Sequence, residues 1–442
     1  MKSKILDFFS KLRASYWYIP LIMSVIALLL SVLTLRLDHL FVWQWLEKWG
    51  WFHASNPEGA RSILSIIATS MITVAGVTFS MTIVAVAFAG SQIGPRLTSN
   101  FMRDRANQIT LGTFIATFLF CLFILLALFN SNKEGISQIN GQVFIPQISL
   151  LIAIVLTISS LVVLIGFIHH IPESINMSNV IAQVGEELNR QISSQFPINI
   201  GKEYAQKSPD LSSLKKTIVS STTQGYIRIL EGNSLIDIAT KNDLIIQLEV
   251  RPGAYITEDV TLLVIYSSKN VDEQIKKQCT EAFALGLKRN QEQDILFLVD
   301  ELVEIIARAL SPGINDPFTA ITCLDWLQSS VKKLSKEDEP SPYRADSENK
   351  LRLITKPITF EEFCDLIFVR VQPYVGKDRN ATFHMMEMII SIHKALINPR
   401  QRAIISAHAF SLKDAANESL PLAEDRKKLL SLYEHHFVNN ID

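Results

Sequence analysis

Four stretches in the first 170 residues are long enough and apolar enough to cross a lipid bilayer, and they constrain the fold before anything else is considered. A spanning helix needs about 20 mostly apolar residues, because the hydrocarbon core is about 30 Å thick and each helical residue rises about 1.5 Å. No charge stands between Arg13 and Arg36, where Tyr16 to Leu35 reads YWYIPLIMSVIALLLSVLTL. The other charge-free runs lie between Arg61 and Arg96, between Arg105 and Lys133, and from Gln147 to Ile168. The expected spans are 16–35, 62–89, 108–129 and 147–168. The first is too long for a secretory signal, and Leu35-Arg36-Leu37 offers no small-residue cleavage site, so it reads as an uncleaved anchor.

Charge divides the chain in the same place. Residues 1–170 hold 11 Lys+Arg and 6 Asp+Glu, whereas the remaining 272 hold 31 and 37. Lipid is the natural solvent for the first part and water for the second. The expected fold is therefore a membrane α-helical domain of four transmembrane helices over 1–170, followed by a mixed α+β cytoplasmic domain. Within the latter, 171–224 reads as a stalk helix and linker, 225–268 as a small β module, and 269–442 as mainly helical.

Lys2, Lys4, Lys11, Arg13, Arg96, Arg103 and Arg105 flank the spans on one side, against Arg36, Lys48, Arg61 and Lys133 on the other. The bias of basic residues towards the cytoplasm predicts that both termini lie on the cytoplasmic side. Cys121, Cys279, Cys323 and Cys364 are scattered with no C-x-x-C pair, which argues against a disulfide framework or a zinc site and fits a reducing compartment. The second part is acidic and has no basic run interleaved with aromatics, so nucleic acid is not an expected partner.

Between the first two spans, Trp43, Trp45, Trp49 and Trp51 crowd a segment, 38–52, that reads as a short helix at the membrane–water interface. Asn56-Pro57 supplies a cap and a first-turn proline for the second span. On that span, Ser65, Thr69, Thr73, Gly76, Ser80, Ala87 and Ser91 share an arc of about 80° at 100° per residue. Two readings stand: a face that packs closely against another helix, or the wall of a polar pathway. In the second, Arg96, Arg103 and Arg105 form a basic mouth that favours anions. No charge lies within the spans, which argues against a proton relay. His169-His170 at the end of the fourth span reads as interfacial, since neighbours on a helix point about 100° apart.

Beyond the membrane, Ser174 to Gln195 reads as an amphipathic helix. Gly225–Leu230, Leu244–Val250 and Val260–Tyr266 read as strands, with Pro252-Gly253 as a turn. From Asp272 the chain is expected to be mainly helical, with Leu351 to Ile354 as a possible strand and with Asp300, Glu304 and Arg308 as a solvated charge ladder on one helix. Asn315 or Asp316 caps the next helix and Pro317 opens it. There is no P-loop, dinucleotide-type glycine motif, H-E-x-x-H or G-x-S-x-G turn, so no catalytic residue, metal ligand or cofactor is expected.

Two stretches carry a resemblance. One is Phe79-Ser80 and Ser91-Gln92-Ile93-Gly94-Pro95-Arg96 with Phe101 to Arg105; the other is Arg289 and Asp294 followed by Ser311, Asn315, Asp316, Pro317 and Thr319 in ALSPGINDPFTA. Together they resemble a bacterial family of predicted membrane proteins with a domain of unknown function. The resemblance implies an inner-membrane protein and assigns no catalytic residue. The expected function is a homo-oligomeric, channel-like pore gated by its cytoplasmic domain, with the lipid bilayer, further copies of the chain and ions as partners. The alternative is a membrane-anchored scaffold or regulator that binds a cytoplasmic protein or small ligand.

Overall fold

The computed structural model describes residues 15–40, 57–93, 104–133, 138–139, 142–143, 145–206 and 210–438. They fall into two compact units that divide at Asn176 and Met177. Arg96, Arg103 and residues 41–52 of the expected interfacial segment lie outside the described residues.

The first unit is built on α1 (Tyr18–Leu40), α2 (Pro57–Ile93), α3 (Arg105–Lys133) and α4 (Gln147–Ile175), with an antiparallel pair, β1 (Gln138–Ile139) and β2 (Gln142–Val143), between α3 and α4. All four are long and apolar enough to cross a membrane. Each outruns its predicted span because the polar residues at its ends stay helical. Arg36 and Asp38 remain in α1, and α4 runs through Pro172 to Ile175. Helix α3 is the central element: half of its apolar window is buried, against 22% for each of the others. Its Phe114, Phe120, Cys121, Ile124 and Leu128 form the core with Leu64 and Ile67 of α2 and Leu150 and Ala153 of α4. Gly112 lets α1 come close, since a Cβ there would sit 3.2 Å from the Pro20 backbone and 2.6 Å from the Met23 sulfur.

Polar contacts pin this bundle mainly at its two ends. Asp38 of α1 accepts from Ile148 N at 2.8 Å, Ser149 N at 3.1 Å and Ser149 Oγ at 2.7 Å, capping α4 from a different helix. On that same side Arg61 donates to Leu128 O at 2.9 Å and lies over the Phe129 ring. At the opposite end His170 meets Asp104 at 2.5 Å, while the other Asp104 oxygen accepts from Ala106 N at the start of α3. Between the two ends, Thr117 and Ser160 pair at 3.1 Å.

The second unit opens with α5 (Met177–Ile192), separated from α4 only by Asn176 in an extended conformation. The strands over 225–268 lie where alternation predicts them, but they are shared between two sheets that also take strands from elsewhere. The six-stranded sheet has the order β3 (Lys202–Glu203), β10 (Tyr343–Ala345), β11 (Leu351–Ile354), β6 (Ile245–Leu248), β8 (Thr261–Ser267), β4 (Lys215–Ser220). Its pairs are antiparallel except β11–β6. The three-stranded sheet is β7 (Tyr255–Ile256), β5 (Gly225–Leu230), β9 (Phe283–Gly286). Both sheets and α6 (Gly232–Asn242) share one core around Ile227, Leu235, Ile246, Leu263, Ile265 and Leu353. The expectation of helix directly after Asp272 is thus corrected, while the strand expected at Leu351 to Ile354 is β11. After α7 (Glu273–Glu281) the chain returns as β9, whose Phe283 and Ala284 are buried beside β5.

The rest is helical: α8 (Ile295–Ala309), α9 (Pro317–Leu334), α10 (Phe360–Val375), α11 (Arg379–Ala395), α12 (Pro399–Ser419) and α13 (Ala423–Phe437). Their starts follow local capping chemistry: Asp316 before Pro317, a Thr359/Glu362 capping box, Asp378, and Asn398 before Pro399. Helices α5 and α9 run side by side in the same direction. The Trp326 ring covers Gly185, Asn189 bonds Ser329 and Ser330, and Ser193 bonds Glu337. A Cβ on Gly185 would fall 2.4 Å from the ring, so the indole would have to shift off the seam. Gly185→Ala is expected to cost about 1–3 kcal/mol through overpacking, read as a lower melting temperature in detergent, and Trp326→Leu in the same chain should recover part of it.

Candidate functional site

The small-residue stripe of α2 points away from its own bundle. Ser65, Thr69, Thr73, Gly76, Ser80 and Ala87 are all exposed, and a Cβ on Gly76 would meet nothing within 4 Å. The buried face, with Leu64, Met71, Ala75, Thr78 and Thr82, lies about 150° round the helix. Among the described residues no helix of the bundle covers the stripe. Thr73 returns its hydroxyl to Thr69 O at 2.7 Å, so it does not need a further partner to be satisfied. Ser91 lies on the last turn of α2, and Arg105 opens α3, where it is exposed.

In the second unit the site residues named from sequence gather at the two ends of α8. At its start, Arg289 donates through Nε and Nη2 to Asp294 Oδ2 at 2.9 and 2.6 Å, and through Nη1 to Asp300 Oδ2 at 2.6 Å. Arg370, on α10, donates to the other Asp300 oxygen. Asp294 and Asp300 are buried and Arg289 is mostly so, while Arg370 reaches the network from the surface, so two guanidiniums neutralise two carboxylates at a largely enclosed site. Burial, helped by the neighbouring Asp300 charge, pushes the Asp294 carboxyl above its ordinary range against the pull of Arg289. The solvated ladder read from sequence is thereby corrected. Asp300 faces inward to Arg289 and Arg370, and Glu304 pairs with Arg308 at 3.5 Å.

Gly253 shows how closely the sheet fits here. It has φ +84°, and a Cβ would stand 1.9 Å from Asp294 Oδ2. The turn over Arg251 to Ala254 thus seats on the same carboxylate that holds Arg289.

At the other end of α8, Ser311, Asn315, Asp316, Pro317 and Thr319 build a tight reversal. Asn315 N donates to Ser311 O, Asp316 N to Ala309 O, and Asn315 adopts φ +51°, a conformation asparagine tolerates. Asp316 caps α9 by accepting from Thr319 N at 3.2 Å and Thr319 Oγ1 at 2.6 Å. Fifteen helical residues separate the two ends, about 22 Å. The motif therefore forms two separate local structures joined by one helix.

Sequence reasoning did not find Arg370, which lies 70 positions from Asp300 and carries no local signal. It also passed over Glu301, wholly buried in α8; its place one turn from Leu298 and Ile305 on the apolar face was the available sign. Among the described residues no group of three or more His, Cys, Asp or Glu side chains could hold a metal ion.

Residues 13–391 match the family model described as Predicted membrane protein (DUF2254). The chain belongs to this family. Uncharacterized proteins of Mycobacterium bovis and Mycobacterium tuberculosis are each 22% identical over 383 residues, covering 85% of this chain and 71% of theirs. No solved structure matches it. The DUF2254 match takes in the four spans, both sheets and both ends of α8, and stops inside α11, so α12 and α13 lie beyond it.

Removing one partner of a buried ion pair leaves the other uncompensated, which typically costs about 3–5 kcal/mol. Arg289→Met is expected to lose that much, and adding Asp294→Asn should return part of it. A carboxyl whose folded pKa lies above its unfolded value binds more protons when folded, so the associated stability falls as pH rises, by at most about 1.4 kcal/mol per pH unit. The melting deficit of Arg289→Met relative to wild type should accordingly be smaller at pH 5 than at pH 8. An equal deficit at both would show that Asp294 does not take up the proton.

Proposed function

We propose that this DUF2254 protein is a homo-oligomeric, channel-like assembly of a bacterial inner membrane, in which α2 of each copy lines a shared pathway. The carrying observation is the outward direction of Ser65, Thr69, Thr73, Gly76, Ser80 and Ala87. Against lipid, glycine and hydroxyl side chains gain less than leucine; against a neighbouring copy they permit close approach, and around a pathway they offer donors and acceptors to water and ions. Between Ser62 and Ile93 α2 has no charge, which suits passive conduction better than proton-coupled transport. Arg96, Arg103 and Arg105 give the cytoplasmic mouth a preference for anions. On this reading both termini and the second unit face the cytoplasm, and the second unit gates the pathway.

A membrane-anchored scaffold or regulator is the alternative. The feature that supports it is a cleft of about 680 Å³ in the second unit, where Arg251 pairs with Glu362 and Lys356 with Glu249 around Pro340, Pro342 and Pro357. Purified protein in proteoliposomes, assayed for anion and cation flux beside Ser80→Leu, separates the two. Flux that falls to the vesicle leak in Ser80→Leu at equal reconstitution supports the pathway. Equal flux in both proteins removes the stripe as its wall, and no flux under salt, pH or tension changes favours the regulator.

A further inference from the structure

Apolar side chains stand exposed on the reversal between α8 and α9. Phe318 is 71% exposed and Ile314 41%, with Pro312 exposed beside them. The neighbouring polar groups are already engaged: both Asp316 oxygens accept from Thr319, and Ser311 Oγ donates to Arg308 O at 2.6 Å. The tip thus presents hydrocarbon with no unengaged carboxylate beside it.

Its position within the second unit is set by the parallel seam of α5 and α9. Gly185 lies under Trp326 and Asn189 bonds Ser330, an offset of 141 residues in both cases. Extending that register back along both helices brings Phe318 level with Met177, the first residue of α5. Packed helices lie about 8–10 Å apart, so Phe318 stands roughly one helix diameter from Met177. Met177 in turn follows the end of α4 after a single residue, Asn176. Helix α4 has 29 residues, or about 43 Å, which matches the full bilayer with its headgroup layers at about 40–45 Å. The chain therefore enters α5 at the lipid–water boundary.

We propose that the Pro312–Phe318 tip is a lipid-docking surface, with Phe318 and Ile314 inserted into the headgroup–acyl boundary of the bilayer that α4 spans. The occupant is lipid because the seam places the tip beside the residue where the chain leaves the membrane. A still barer apolar residue of the unit lacks that placement. Ile397, 91% exposed, shares a cleft with Ser335 to Glu339 at the far end of α9, about 24 Å along the helix from Phe318. The inference does not rest on conduction.

The test uses the full chain in liposomes with a nitroxide label on Phe318→Cys or Ile397→Cys, beside the unsubstituted chain as the labelling background. All four native cysteines are buried, and both new positions are exposed, so labelling is selective and the core is left intact. The expected result is a label at 318 that collides several-fold more with oxygen, which concentrates in lipid, than with a water-soluble nickel chelate, and the reverse at 397. A label at 318 as open to the nickel chelate as that at 397 would overturn the proposal. So would one shielded from both reagents, which would mean that protein covers the tip.

Discussion

Helix α8 is buried on nearly every side and still carries ionisable groups, and the second unit is arranged around that conflict. An unpaired carboxylate out of water costs several kcal/mol, so Asp294 and Asp300 require cations at fixed positions. Arg289 follows β9, and meeting both carboxylates brings the three-stranded sheet to the start of α8. Arg370 fixes the rotation of α10 against the same helix. Gly253 is held to glycine because a methyl group there would overlap Asp294. Hydrophobic burial could be satisfied by several neighbouring packings of these elements; the charge network is compatible with one register.

The membrane unit solves its polar problem in the opposite way. Its ion pairs and strong caps sit at the ends of the helices, where Asp38 holds the start of α4, Arg61 the end of α3, and Asp104 joins the start of α3 to the end of α4. Across the middle, shape does the work, with Gly112 admitting α1 and phenylalanines filling around α3. Without a hydrophobic force between helices in lipid, close packing and a few terminal hydrogen bonds are what remain to specify the bundle.

Much of this was legible locally. The spans followed from hydropathy and length, and the cap of α9 from Asp316-Pro317, because those signals are carried by contiguous residues. Membership of the DUF2254 family was visible in the motifs around Phe79 to Arg105 and Arg289 to Thr319. The sheets were harder to read, because β11 pairs with β6 across more than 100 residues and two-residue strands such as Lys202–Glu203 carry no pattern. The inward turn of Asp300 was missed for a related reason. A charge four residues from Glu304 looks like a surface ladder until the arginines that bury it are known, and one of those lies on another helix. The direction of the α2 stripe could not be read at all, since periodicity gives a face but not what it faces.

The Arg289–Thr319 pattern gains a physical sense from the same burial. A helix enclosed by protein has little water to satisfy the orphan N–H and C=O groups at its ends, so both termini must be finished by specific residues. At the start, Asp294 O receives Phe297 N while its side chain is neutralised by Arg289. At the finish, Asp316 N bonds Ala309 O at 2.7 Å, and Ser311 bonds Arg308 O through both its amide and its hydroxyl. Helix termination therefore accounts for Arg289, Asp294, Ser311, Asn315, Asp316, Pro317 and Thr319 without any chemistry on a substrate. It does not account for Ile314 and Phe318, whose side chains take no part in the capping. In a segment where the side chains of Ser311, Asp316 and Thr319 finish helix ends, two hydrocarbon side chains left outside are best explained by something beyond the fold of the unit that carries them.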